Sequence, residues 1–146
     1  MRSRALFAVL ALALAGPALA AEPQPGPGMI VTRDTARSVD EVADALKIYS
    51  AEHQWQLVGD AKVKKGEVRL VKVCIPAVGK ALWPAGLQMS ALLPCGNVGI
   101  YRKGGRTEIS MLHPAYMEVL YPSEQVKKAV KVATPLLMDM LDEVAK

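Results

Sequence analysis

Aromatic residues are scarce, with one Phe, two Trp and four Tyr among 146 residues. Nucleic-acid readers stack bases on aromatics set among basic side chains, and here both are thin. Cysteine is nearly absent: Cys74 and Cys95 are the only two, with no C-x-x-C pair. The two histidines, His53 and His113, form no H-x-x-x-H pair, and the methionines form no tight cluster. These gaps remove the spacings that mark zinc fingers and helical metal sites. No glycine-rich loop joins a strand to a helix, so a phosphate cradle is excluded; Lys-Gly-Gly-Arg at 103–106 sits between two strand patterns instead. There is no nucleophile elbow either. Past residue 20, no apolar run approaches the roughly 20 residues that would span a bilayer.

The first twenty residues are a different case. Arg2 and Arg4 precede an apolar run over 6–15, and Ala18-Leu19-Ala20 supplies small residues at −3 and −1. This is the pattern of a secretory signal peptide cleaved after Ala20. The expected location is therefore periplasmic or secreted, with no integral membrane segment in the mature chain. Removing the leader takes away Arg2 and Arg4 and lowers the net charge from +4 to +2. The lysines at 62, 64 and 65 and at 127, 128 and 131 then read as solvated faces rather than a nucleic-acid patch. Residues 21–28, rich in proline and glycine, read as a flexible lead-in, and residues 29–146 as one domain.

Within that domain the apolar period alternates between strand and helix. Residues 29–33 read as a β-branched strand. Ser38 with Glu41 is a capping box, and Val39, Val42, Leu46 and Tyr49 mark one face of a helix ending near His53. Trp55, Leu57, Ala61 and Val63 alternate as a half-buried strand, and Lys65-Gly66 turns it into 67–75. There Val71, Val73 and Ile75 share one face, and Leu70 and Cys74 the other. Residues 77–90 read as a helix broken by Pro84 and Gly86. A second hairpin joins 98–102 to 107–112, with Ile109, Met111 and His113 on one face. A long amphipathic helix fills 123–146, with Val126, Val130, Leu137, Met140, Leu141 and Val144 inward; Pro135 predicts a kink or a late start. The order predicts an α+β fold: a four- to five-stranded antiparallel sheet, helices on one face, and a long C-terminal helix.

Three motifs carry a family resemblance. They are Cys74-Ile75-Pro76 at a strand end, Leu93-Pro94-Cys95 entering a strand, and Ile109-Ser110-Met111-Leu112-His113-Pro114 closing a strand–turn–strand unit. With the capped first helix and the long last one, the chain resembles the domain of unknown function 302 family over about residues 29–145, on the exported two-cysteine branch. The resemblance implies a TATA-binding-protein-like fold in the order strand, helix, four strands, helix, and a homodimer. It implies no agreed activity, and the fold's name does not imply DNA binding. Gly96 and His113 depart from the residues many relatives carry, so neither inherits a role.

The cysteines admit three readings. A secreted two-cysteine domain is first a disulfide candidate, Cys74 with Cys95, provided the two strand ends are neighbours. The alternative is thiol-redox or copper handling by Cys74 and Cys95, copper being held with His113 and Met111 or Met117. Core filling competes for the methionines. The third is a reactive Cys95 whose thiol Arg102 or Lys103 activates, with His53 or His113 as a distant partner. Asp139, Asp142 and Glu143 read as a solvated helix face. No catalytic residue and no resident cofactor are expected. The expected role is a non-catalytic module for a small apolar ligand or a protein partner, with an apolar groove along Met111, Leu136, Leu137 and Met140.

Overall fold

The computed structural model describes residues 29–91 and 96–146. The leader and lead-in expected at 1–28, and Cys95, lie outside the described residues.

Five strands form one antiparallel sheet. They are β1 (Ile30–Thr35), β2 (Gln56–Val63), β3 (Val68–Cys74), β4 (Gly96–Lys103) and β5 (Arg106–Leu112), in the spatial order β1-β5-β4-β3-β2. Four helices accompany it: α1 (Val39–Glu52), α2 (Pro76–Leu82), α3 (Tyr116–Leu120) and α4 (Glu124–Val144). This is the expected α+β architecture with all five strands in one sheet.

Local chemistry explains most boundaries. Ser38 Oγ accepts the Glu41 N–H at 3.2 Å, and Glu41 Oε2 accepts the Ser38 N–H at 2.7 Å, so the capping box closes reciprocally. At the other end of α1 the chain leaves helical geometry at Gln54, whose φ of 57° is left-handed. The β4–β5 hairpin turns on Gly104 and Gly105, both at positive φ, which a two-residue turn of this twist requires. Pro76 opens α2, where its missing N–H costs nothing. Past Leu82 the backbone tightens into two short 3₁₀ turns, Trp83–Ala85 and Leu87–Ala91, broken at Gly86 (φ 113°). The expected helix breakers act where the sequence places them.

Three expectations needed correction. β2 does not half-bury alternate residues: Leu57, Val58 and Val63 are all exposed, because β2 is an edge strand and a register shift between Leu57 and Gly59 interrupts its alternation. Trp55 is buried, but it lies ahead of the strand. The final helix does not start late at Pro135; α4 runs through it from Glu124 to Val144. Ser123 caps α4 by accepting the Val126 N–H at 3.2 Å, so the helix begins well before the proline. Packing of eight buried side chains outweighs the lost backbone bond.

The core lies between one face of the sheet and the helices. Val71, Val73, Val98, Ile100, Ile109 and Met111 meet Leu46 of α1, Leu82 of α2 and Leu137, Met140 and Leu141 of α4. Burying each such side chain contributes about 1.5–3 kcal/mol. The opposite face of the sheet carries no helix among the described residues.

Candidate functional site

The uncovered face is built by strand alternation. Ile100 and Ile109 are fully buried beneath the helices, so their neighbours Gly99, Tyr101, Glu108 and Ser110 point the other way. The register aligns Thr32, Ser110, Gly99, Leu70 and Ala61 across all five strands. This central row is made of small residues around one leucine. A Cβ on Gly99 would come within 3.1 Å of Ser110 Oγ, so glycine keeps the middle of the face flat. Apolar side chains flank it, Ile30 (51% exposed), Leu112 (40%) and Val63 (37%), and the row's own Leu70 is 37% exposed. One end of the face carries Asp34 and Glu108, the other Lys72 and Asn97.

Polar contacts stiffen the acidic end. Tyr101 donates its hydroxyl to Glu108 at 2.5 Å, and Lys103 Nζ lies 2.9 Å from the same carboxylate. The tyrosine's hydrogen bond, then Lys103, lowers the Glu108 pKa; the bond to Glu108, reinforced by burial, raises that of Tyr101. Arg106 pairs with Asp34 beside them.

A second polar assembly binds α1 to the edge of the sheet. Arg69 of β3 forms a two-pronged pair with Asp60 of β2, at 2.8 and 2.6 Å, and reaches Asp40 of α1 at 2.5 Å. Lys47 of α1 joins Asp60 at 3.1 Å. Arg69, ahead of the other causes, holds the Asp60 carboxyl well below the usual aspartate range. The composition does not single out this assembly. Its signal is an arginine in phase with Val71 and Val73, hence on the helix side of its strand.

The structure disperses the residues proposed from sequence. Cys74 ends β3, half-buried and paired in register with Gln56. Lying between the buried Val73 and Ile75, it alternates to the uncovered side, whereas Met111 is buried on the helix side. Met117 is fully buried, in its core-filling role. His113 follows β5, where its Nδ1 accepts the Ala115 N–H at 3.1 Å. Among the described residues, no three His, Cys, Asp or Glu side chains are grouped closely enough to hold a metal. Arg102 is engaged with Thr107 Oγ1 at 3.1 Å and with the Gly105 carbonyl. Asp142 is ion-paired to Arg33 at 2.6 Å rather than simply solvated.

The apolar groove needs correction. Leu137 and Met140 are fully buried, and Met111 is 4% exposed. Helix α4 lies so closely on the sheet that these side chains are core, with no surface left to line a groove. Only Leu136 reaches a hollow, one it shares with residues 53–55 after α1 and with the start of α2.

The described helices include none long and apolar enough to cross a membrane. A comparison with curated proteins finds no match. Among solved structures, the chain is similar to an uncharacterized conserved DUF302 protein from Bacillus stearothermophilus. Identity is 16%, with 81% of this chain and 98% of that one covered and a TM-score of 0.71, so the likeness bears on the fold. The sequence profile of the domain of unknown function DUF302 matches residues 31–144. The chain therefore belongs to the DUF302 family.

Proposed function

We propose that this protein is an exported, non-catalytic binding module whose uncovered sheet face receives a second copy of the same chain. The observation that carries the proposal is that face, with its flat row at Thr32, Ser110, Gly99, Leu70 and Ala61 and its apolar flanks. Five strands about 4.8 Å apart and about 25 Å long present roughly 600 Å² in projection, close to the ~800 Å² of accessible surface that each partner of a standard interface buries. A flat centre lets two sheets approach to about 10 Å. A two-fold axis lying across the strands sets the Asp34–Glu108 end of one copy over the apolar Ile30–Leu112 end of the other.

The proposed module is exported after cleavage following Ala20 and is stapled by a Cys74–Cys95 disulfide. Two facts support the pairing. Strands β3 and β4 are neighbours, with Val73 opposite Gly96, each one residue from a cysteine. Cys74 is the only cysteine among the described residues, and no free cysteine occurs there. Export is supported by the charge, apolar core and small-residue pattern of residues 1–20.

The test is the intact mass of the exported, unreduced protein with and without a thiol-alkylating reagent, followed by sedimentation equilibrium. The expected result is a chain starting at Ala21, two hydrogens light and inert to alkylation, that sediments as a dimer. A monomer at high concentration would overturn the proposed interface. Free, alkylating thiols would overturn the staple and favour thiol or copper chemistry, which a copper titration would then examine.

A further inference from the structure

The passage from α3 into α4 exposes four apolar residues in succession. Val119 is 68% exposed, Leu120 63% and Tyr121 40%, and Pro122 follows them at the surface. The core does not use this run: the fully buried Met117 anchors α3, which packs on α4. Single exposed apolar side chains are ordinary, but a contiguous run left in water marks a contact with another molecule.

The start of α4 sets positive charge beside that run. Lys127, Lys128 and Lys131 are exposed and, three and four residues apart, share one face of the helix. Lys127 donates to Glu124 at 2.8 Å. Lys127, and more weakly Lys128 and Lys131, lower the Glu124 pKa, so all three ammonium groups act on one carboxylate. Lys128 and Lys131 make no ion pair among the described residues. Glu118 of α3 acts on Lys127, which puts the lysine face next to the apolar run. Helix stability does not account for this charge order. The macrodipole favours acids in the first turn and bases in the last, whereas α4 carries its lysines early and Asp139, Asp142 and Glu143 late.

The two features together select the occupant. Lysines answer fixed negative charge, and the apolar run answers a medium that takes up hydrocarbon. An anionic bilayer offers both, headgroups outermost and acyl chains beneath. Tyrosine and lysine are the side chains that settle at headgroup depth. A partner protein that reads a helix uses anchors three and four residues apart. Here the exposed residues are consecutive, and the backbone leaves helical geometry at Tyr121 (φ −146°, ψ 83°), so they form no such stripe. A fluid bilayer requires no register. We infer that this end of the molecule docks peripherally on an anionic membrane surface, with Val119, Leu120 and Tyr121 entering the interface and Lys127, Lys128 and Lys131 facing the phospholipid headgroups.

The test is co-sedimentation of the exported protein, freed of its apolar leader, with phosphatidylcholine vesicles that contain or lack phosphatidylglycerol. The expected result is half-saturation on the order of 1 mM lipid on the anionic vesicles and binding about tenfold weaker on the neutral ones. Raising the salt from about 0.05 M to about 0.5 M should erase most of that difference. Lys128→Glu with Lys131→Glu should weaken anionic binding about tenfold, and Val119→Ser with Leu120→Ser about fivefold. All four positions are exposed, so the circular dichroism spectrum should not change. No binding to anionic vesicles, equal binding to neutral ones, or either double variant binding like the parent would each overturn the inference. Binding to soluble poly-glutamate but not to vesicles would also overturn it and assign the lysines to an acidic protein. This surface shares no residue with the uncovered sheet face. Leu70→Glu protein should still prefer anionic vesicles, so failure of the dimer proposal and failure of this one are separable.

Discussion

The two faces of the sheet are made of the same strands and have opposite fates. On one, Val71, Val98, Ile100 and Ile109 are fully buried beneath α1 and α4. On the other, Leu70, Leu112 and Ile30 stay more than a third exposed. Both faces carry aliphatic side chains, so hydrophobicity alone does not separate them. Helices separate them, and packing uses up the covered face: what lies there stabilises and cannot bind. That leaves the uncovered face as the surface proposed to receive a second copy of the chain.

Substitutions can test that contrast, beginning with the largest effect. Leu137→Ala, on the buried face of α4, should lose about 3 kcal/mol of stability, read as a lower denaturant midpoint at unchanged slope. Were Leu137 lining an open groove, the loss would be under 1 kcal/mol. Leu70→Glu, on the uncovered face of the sheet, should keep the circular dichroism spectrum but weaken self-association at least tenfold, about 1.4 kcal/mol. Equal effects of the two changes on folding would erase the distinction between the faces.

At the sheet edge, Arg69→Ala should cost about 1.5 kcal/mol, since it removes a two-pronged, partly screened pair. The same pair sets a pH dependence. Asp60 titrates below its unfolded value, so its contribution is complete above the ordinary aspartate pKa of about 4 and declines as pH falls further. Asp60→Asn should flatten the stability profile between about pH 5 and pH 3, checked by denaturation at a series of pH values. The smallest effect is at Ser38→Ala, about 1 kcal/mol from the lost cap, with no effect on self-association.

Local rules made much of the fold legible. Ser38 and Glu41 placed the start of α1, and Pro84 with Gly86 placed the break after α2, because capping and backbone restriction act within a few residues. Tertiary packing hid the rest. Pro135 signals a kink or a late start, yet α4 runs through it from Glu124, with buried side chains on either side. Trp55 and Leu57 continue an apparent alternation, but the bulge and the edge position of β2 separate their fates. The short helix α3 carried no signal long enough to show its period. The groove failed for a related reason. Periodicity shows that Leu137 and Met140 share a face, not how closely that face meets the sheet. The uncovered face was half legible: Leu70 and Cys74 were placed opposite Val71 and Val73, but only strand order shows that nothing covers them.

The most direct test is hydroxyl-radical footprinting of the intact protein as its concentration is raised. Leu87, Val119 and Leu120, exposed but away from the sheet, serve as controls. The account predicts that oxidation of Leu70, Leu112 and Ile30 falls with concentration while the controls stay constant. Unchanged oxidation of Leu70 and Leu112 in a protein that nevertheless dimerises would place the contact elsewhere and contradict it.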